Sequence, residues 1–121
     1  MRLTSDFVVS ALVRRVQGEG AYATVARHGD DTAGAIFVLV DGLDGQVALY
    51  GPAPPQMDDA PLPADAALTG NRLFAPIPLE PEPTRAAAED ALQRQMRFDP
   101  DVWVVDIEDR KMRAFVPTVD A

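Results

Sequence analysis

The spacing of hydrophobic and polar residues predicts a helix near the start of the chain, over residues 5–17. Asp6 in its first turn and Arg14 near its end each carry the charge that favours the helix dipole at that position. Apolar residues fill most of the circumference, and Arg15 falls inside this apolar arc. We therefore expect the helix to be covered on more than one side, by a loop of the same chain or by a second subunit.

Runs of β-forming residues between turn signals predict the strands. The segment from Ile36 to Val40 is continuously apolar, which is typical of a central strand that is buried on both faces. A second strong strand near the end of the chain contains three acidic residues. The predicted strands are 21–28, 33–41, 46–50 and 102–109, and two shorter segments, 72–77 and 112–116, can extend the sheet.

Prolines separate the two halves of the pattern, because nine of the eleven in the chain lie within residues 51–83. Proline lacks a backbone donor and interrupts helices, so this segment is interpreted as a long connection. A second helix over 85–97 follows, rich in alanine and long side chains. Residues 117–121 are expected to form a frayed tail.

The order of these elements predicts one α+β domain over residues 1–121. It consists of a mainly antiparallel sheet of four to six strands and two helices, in the order helix, three strands, Pro-rich loop, helix, and one or two strands. We expect the helices to lie on one face of the sheet.

Composition excludes several classes of function. The 121 residues carry a formal net charge of -8, which disfavours nucleic acid and anionic membranes as partners. The chain has no cysteine, so disulfides, thiolate nucleophiles and Cys-based metal sites are excluded. No signal peptide or membrane span is evident, and a cytoplasmic protein without a cofactor is the prediction.

Three blocks of sequence resemble a known family. They are Ser5-Asp6-Phe7 through Arg14-Arg15, Leu49-Tyr50-Gly51-Pro52-Ala53-Pro54, and Arg97 to Val105 through Glu108-Asp109-Arg110. In this order they are similar to a bacterial domain-of-unknown-function family, number 1491. The resemblance implies a small, single-domain, cytoplasmic bacterial protein, and it implies no activity or site residue.

Arg15 and two strand carboxylates are the first candidates for a site. A guanidinium on an apolar helix face can bind an anion in a bidentate manner, or can form a structural ion pair with a carboxylate of the sheet. Alternation along the last strand places Asp106 and Glu108 on one face, where they can share a metal ion or act as acid and base. The alternative is a solvated strand end, or salt bridges from these acids to Arg110, Arg113 or Arg15.

Two aromatic residues near that strand, Trp103 and Phe98, are the second candidates. They flank Asp99-Pro100-Asp101 and can anchor an interface, although a core position on a buried strand also explains the tryptophan. No complete set of catalytic or metal-binding residues is present. The sequence thus predicts a non-enzymatic protein-binding or adaptor module, with self-association into a homodimer as one form of it. The alternative is a small metal-assisted hydrolase that uses the strand carboxylates.

Overall fold

A computed structural model describes residues 3–55 and 60–120 and contains two helices and five strands. The helices are α1, Ser5–Gly18, and α2, Arg85–Phe98. The strands are β1, Tyr22–Arg27; β2, Ile36–Asp41; β3, Val47–Pro52; β4, Phe74–Pro76; and β5, Trp103–Glu108. A short 3-10 helix, Ala66–Thr69, lies in the proline-rich connection.

Both long helices are capped by the threonine that precedes their first residue. Thr4 Oγ1 accepts a hydrogen bond from the amide of Phe7 at 3.2 Å, and Thr84 Oγ1 accepts one from the amide of Ala87 at 3.1 Å. Each bond satisfies a donor that the first helical turn leaves unpaired. Among the described residues, no helix is long and apolar enough to cross a lipid bilayer.

The five strands form one mixed sheet in the order β1-β5-β2-β3-β4. Strand β5, the last in sequence, is inserted between β1 and β2. It pairs antiparallel with β1 and parallel with β2, with Val105 opposite both Val25 and Val38. The other two pairs, β2 with β3 and β3 with β4, are antiparallel. The predicted α+β fold with a mainly antiparallel sheet is confirmed, and residues 72–77 supply the short strand β4.

The helices lie on opposite faces of this sheet, so their expected placement on one face is wrong. Alternate residues of β2 point to different helices: Val38 packs with α1, and Phe37 and Leu39 pack with α2. The continuous apolar run of β2 needs cover on both faces, and one layer of helices supplies cover on one. We call the two sides of the sheet the α1 face and the α2 face.

The C-terminal segment completes the core on the α1 face. Val116 is buried there with α1, and Met112 and Phe115 pack beside it, although residues 112–116 form no strand. Phe74 of β4 then donates its amide to the Pro117 carbonyl at 2.9 Å and accepts from the Val119 amide at 2.8 Å. Residues 117–119, expected to fray, are therefore tied to the sheet at β4.

The turn between β1 and β2 is held against the start of β5 by two glycines. A Cβ atom added to Gly29 would lie 2.2 Å from the carbonyl oxygen of Asp101, and one added to Gly34 would lie 2.4 Å from it. The Asp30 amide donates to the same carbonyl at 2.9 Å. Close backbone approach here depends on the absence of side chains.

We expect Gly29→Ala to destabilise the fold by about 2 kcal/mol or more, because its Cβ overlaps rigid backbone atoms of Asp101 and Val102. Gly18→Ala is the matched control, since a Cβ at Gly18 meets nothing within 4 Å. It should leave stability unchanged or raise it by up to about 1 kcal/mol. Urea unfolding of both variants measures the difference, and equal midpoints would contradict the interpretation.

Candidate functional site

A cluster of four charged side chains lies where β2 and β5 end on the α2 face. Arg85, in the first turn of α2, donates from Nη1 to Asp41 Oδ2 at 3.1 Å and from Nε to Glu89 Oε2 at 3.4 Å. It also donates to both carboxylate oxygens of Asp106, from Nη1 at 3.4 Å and from Nη2. The partner of the predicted carboxylate Asp106 is therefore Arg85, and not Arg110, Arg113 or Arg15 as the sequence suggested.

The arrangement around Arg85 is that of an ion pair that fixes α2 to the sheet. Its hydrogen bond to Asp106 is the main reason that the pKa of Arg85 lies above its ordinary value, so this guanidinium stays charged. Asp106 and Glu108 do lie on the same face of β5, as predicted, but Glu108 is exposed. Across residues 3–55 and 60–120, no three or more His, Asp or Glu side chains are grouped to hold a metal ion.

Arg15 lies on the opposite face from these carboxylates, so the structure does not bring the two candidates together. Its Nη2 donates to the carbonyl oxygen of Phe115 at 2.9 Å and ties α1 to the C-terminal segment. Burial lowers the pKa of Arg15 from its ordinary value, and the charge of Asp65 opposes this shift. The half-buried guanidinium is thus engaged in packing the α1 face.

The two aromatic candidates are also separated. Trp103 is 2% exposed in the α1-face core, and its Nε1 donates to the Asp30 carbonyl at 2.8 Å. The ring of His28 packs over the indole at 4.1 Å between centroids. Phe98, in contrast, ends α2 with 89% of its surface exposed. Trp103 therefore stabilises the β1–β2 turn, and of these two aromatic candidates Phe98 is the one that is accessible at the surface.

A groove that the sequence had not indicated runs between α2 and the β1–β5 side of the sheet. Its volume is about 370 Å³. Leu39, Leu92, Met96 and Val104 supply its apolar surface, Arg85, Glu89 and Asp106 lie at one part of it, and Ala26, Arg27 and Gln93 complete the lining. We call this the β1–α2 groove. It exists because α2 packs over β2, β3 and the start of β5, whereas no residue of β1 belongs to the buried cluster on this face.

Arg27 differs from the other arginines that line or border this face. Its Nη2 donates to the carbonyl oxygen of Pro100 at 2.8 Å, but its Nε is buried and has no acceptor within the described part of the chain. A buried donor without an acceptor is uncommon and costs free energy. The sequence signal that could have found it is weak: Arg27 is the only charged residue of β1, at the point where the strand ends.

The two edges of the sheet differ in a way that matters for binding. Strand β4 is three residues long, ends in Pro76, and is covered by residues 117–119. Strand β1 is six residues long, contains no proline, and exposes Tyr22, Thr24 and Val25. Within the described residues it pairs with β5 alone, and Gln17 adds one weak bond at 3.5 Å to the Ala23 carbonyl.

A second ion pair orders the chain after β5. Arg113 donates from Nε to Asp109 Oδ2 at 2.8 Å and from Nη2 to Oδ1 at 3.2 Å, in a bidentate arrangement. The hydrogen bonds from the Arg113 side chain are the largest cause that lowers the pKa of Asp109 from 3.8 to about 2. Burial acts in the opposite direction, and the amides of Arg113 and Lys111 assist the shift. Arg113, predicted as a partner of Asp106 or Glu108, thus pairs with Asp109.

The comparisons with family models and with solved structures indicate the same family. The family described as "Protein of unknown function (DUF1491)" matches residues 3–117. A DUF1491 family protein from Caulobacter crescentus CB15, solved as a crystal structure, is 34% identical with a TM-score of 0.75, over 98% of this chain and 99% of that one. A protein from A. tumefaciens, solved in solution, is 38% identical with a TM-score of 0.74, over 100% of this chain and 98% of that one.

A further solution structure of a DUF1491 family protein from Caulobacter crescentus CB15 is similar to the same degree. It is 36% identical with a TM-score of 0.75, and 98% of each chain is covered. No curated protein matches the chain. The comparisons thus support the fold and the family over nearly the whole length.

We predict that Arg85→Met lowers the free energy of unfolding by about 1–2 kcal/mol, because Asp41 and Asp106 lose their partner while half-buried. Adding Asp106→Asn to this variant should restore part of the loss, since it removes one unpaired charge. Arg94→Met, at an exposed position of the same helix, is the control and should change stability little. A loss no larger than that of the control would show that the cluster is not structural.

The Asp109–Arg113 pair predicts a dependence of stability on acid. Because the pKa of Asp109 falls from 3.8 to about 2 on folding, its contribution is complete above about pH 4 and is lost as pH falls through 2. The contribution is on the order of 1 kcal/mol after allowance for solvent screening. The stability difference between the wild type and Asp109→Asn should therefore shrink between pH 5 and pH 2. A constant difference in unfolding experiments over this range would contradict the assignment.

Proposed function

The chain belongs to the DUF1491 family, and we propose that it is a non-enzymatic protein-binding module whose β1 edge captures an extended segment of a partner protein. In this mode the partner adds a sixth strand to the sheet, and main-chain hydrogen bonds supply the affinity. The observation that carries the proposal is the outer edge of β1, which pairs with no other strand in the described part of the chain.

The contrast between the two sheet edges supports this proposal. Proteins usually protect an edge strand by making it short, by placing proline or lysine on it, or by covering it. The β4 edge has three of these devices: it is three residues long, contains Pro76, and is covered by the C-terminal segment. The β1 edge has a single device, a bulge between Val25 and Arg27, which leaves Tyr22 to Val25 in regular geometry.

Charge and exposed area favour another protein over a second copy as the occupant. Two chains of net charge -8 repel each other at long range, whereas a basic segment is attracted. Glu108, exposed and opposite Tyr22 in the ladder, offers a carboxylate beside the edge. On β1, Tyr22 and Val25 are the large apolar side chains that are exposed, and they provide little of the apolar core that a stable homodimer needs.

The metal-assisted hydrolase alternative finds less support in the same geometry. Both oxygens of Asp106 are engaged by Arg85, and Glu108 points to solvent. A metal ion at Asp106 would have to displace an arginine that also bonds Asp41 and Glu89. The adaptor interpretation requires no such rearrangement, and it accounts for an edge that the fold leaves open.

A phage-displayed library of random dodecapeptides, selected on the immobilised full chain, tests the proposal. We expect selected peptides to bind wild type and to slow hydrogen exchange of β1 amides. Thr24→Lys, which places a lysine on the edge, should weaken binding at least tenfold, as charged edge residues oppose strand pairing. Thr118→Lys, the same change at an exposed position of the covered edge, is the matched control and should leave affinity within about twofold.

Two results would overturn the proposal. One is a selection that returns no peptide sensitive to Thr24→Lys, or peptides that protect amides elsewhere. The other is sedimentation equilibrium that shows the wild-type chain as a dimer and Thr24→Lys as a monomer of about 13 kDa, which would make a second copy the occupant of the edge.

A further inference from the structure

The β1–α2 groove combines an apolar lining with an arginine, Arg27, whose hydrogen bonding is incomplete. Leu92 and Met96 of α2 and Val104 of β5 supply its apolar lining, in which Met96 is half-buried and the other two are each 5% exposed. Arg27 enters from β1, and its Nε is buried without an acceptor in the part of the chain that the structure describes. Small-molecule sites typically have this composition, an apolar lining with few polar groups that fix orientation.

The two carboxylates that line the groove are both bonded to one of its two arginines. Asp106 and Glu89 are both bonded to Arg85, which lies at the start of α2. Arg27 forms no ion pair with a described residue, and it has the Pro100 carbonyl as its acceptor. The local complement to Arg27 is therefore an anion with two coplanar oxygens, because guanidinium and carboxylate bond in a bidentate, charge-assisted manner.

We propose that the β1–α2 groove binds a small amphipathic carboxylate, with its carboxylate at Arg27 and its hydrocarbon part against Leu92, Met96 and Val104. The groove volume, about 370 Å³, lies in the range of small-molecule sites. Binding supplies an acceptor to a guanidinium that the fold leaves only partly satisfied. The site is separate from the outer edge of β1, so it does not depend on the proposed strand capture.

Titration of the ¹⁵N-labelled full chain with hexanoate, followed by NMR, tests this site. We expect saturable shifts of the amides of Arg27, Val104 and residues 92–96. Hexanamide, which has the same shape without the charge, should bind at least tenfold more weakly. Arg27→Met should weaken hexanoate binding by at least tenfold, and Arg94→Met, an exposed arginine of α2 outside the groove, should leave it unchanged.

A second variant keeps the test decisive if Arg27→Met fails to fold. Ala26 lines the groove, so Ala26→Leu fills part of it while Arg27 is retained, and it should also weaken hexanoate binding. The proposal is overturned if hexanoate and hexanamide bind equally, if the shifts map to the neighbourhood of Arg15 or Arg72, or if neither Arg27→Met nor Ala26→Leu changes the affinity. A failure of this kind leaves strand capture at the β1 edge standing, because Thr24→Lys tests that edge independently.

Discussion

The insertion of β5 between β1 and β2 is the constraint on which the rest of the structure depends. The chain forms β1 and β2 first in sequence and leaves a gap between them that residues 103–108 fill. Because β5 runs parallel to β2, the intervening chain must return to the starting end of the sheet, and α2 makes that return across the α2 face. The two-sided burial of β2 and β5 follows from this crossover, and so do the opposite positions of the helices.

Backbone contacts secure the insertion at the end where β5 begins. The Asp101 carbonyl accepts from the Asp30 amide and lies against Gly29 and Gly34, so the β1–β2 turn closes directly over the entry of β5. The buried Trp103 indole adds a hydrogen bond to the Asp30 carbonyl in the same place. Toward the other end of the strand, ion pairs hold the chain: Arg85 pairs with Asp106, and Arg113 pairs with Asp109. Glycine packing and ion pairs thus fix opposite ends of one strand.

Local patterns in the sequence predicted the helices and strands well, and they predicted the tertiary contacts of individual residues poorly. The double-sided burial of Ile36 to Val40 and the face of Asp106 could be read from periodicity, because both depend on residues adjacent in sequence. The partner of Asp106 could not, since Arg85 is 21 residues away and reaches it through the crossover. The pairing of residues 117–119 with β4 was missed for the same reason. A proline near the end of the chain suggests a frayed tail, and the bonding partner, Phe74, is brought there by the tertiary fold. Arg27 carried almost no local signal, because an arginine at a strand end is usually solvated.

The open β1 edge and the β1–α2 groove have a common topological origin. Inserting β5 moves β1 to the edge of the sheet, and the single crossover helix, which packs over β2, β3 and the start of β5, leaves β1 outside the buried cluster on that face. On the α2 face, β1 and the end of β5 carry the polar residues Thr24, Asp106 and Glu108. Tyr22 and Val25 of β1 are exposed apolar side chains, and Arg27 at the end of the same strand is incompletely hydrogen-bonded. Exposed apolar area and an unsatisfied donor are both unfavourable in an isolated monomer. Their coincidence on β1, the edge strand that no other described segment covers, is the physical reason to look for binding there, and not at Arg15 and the carboxylates Asp106 and Glu108.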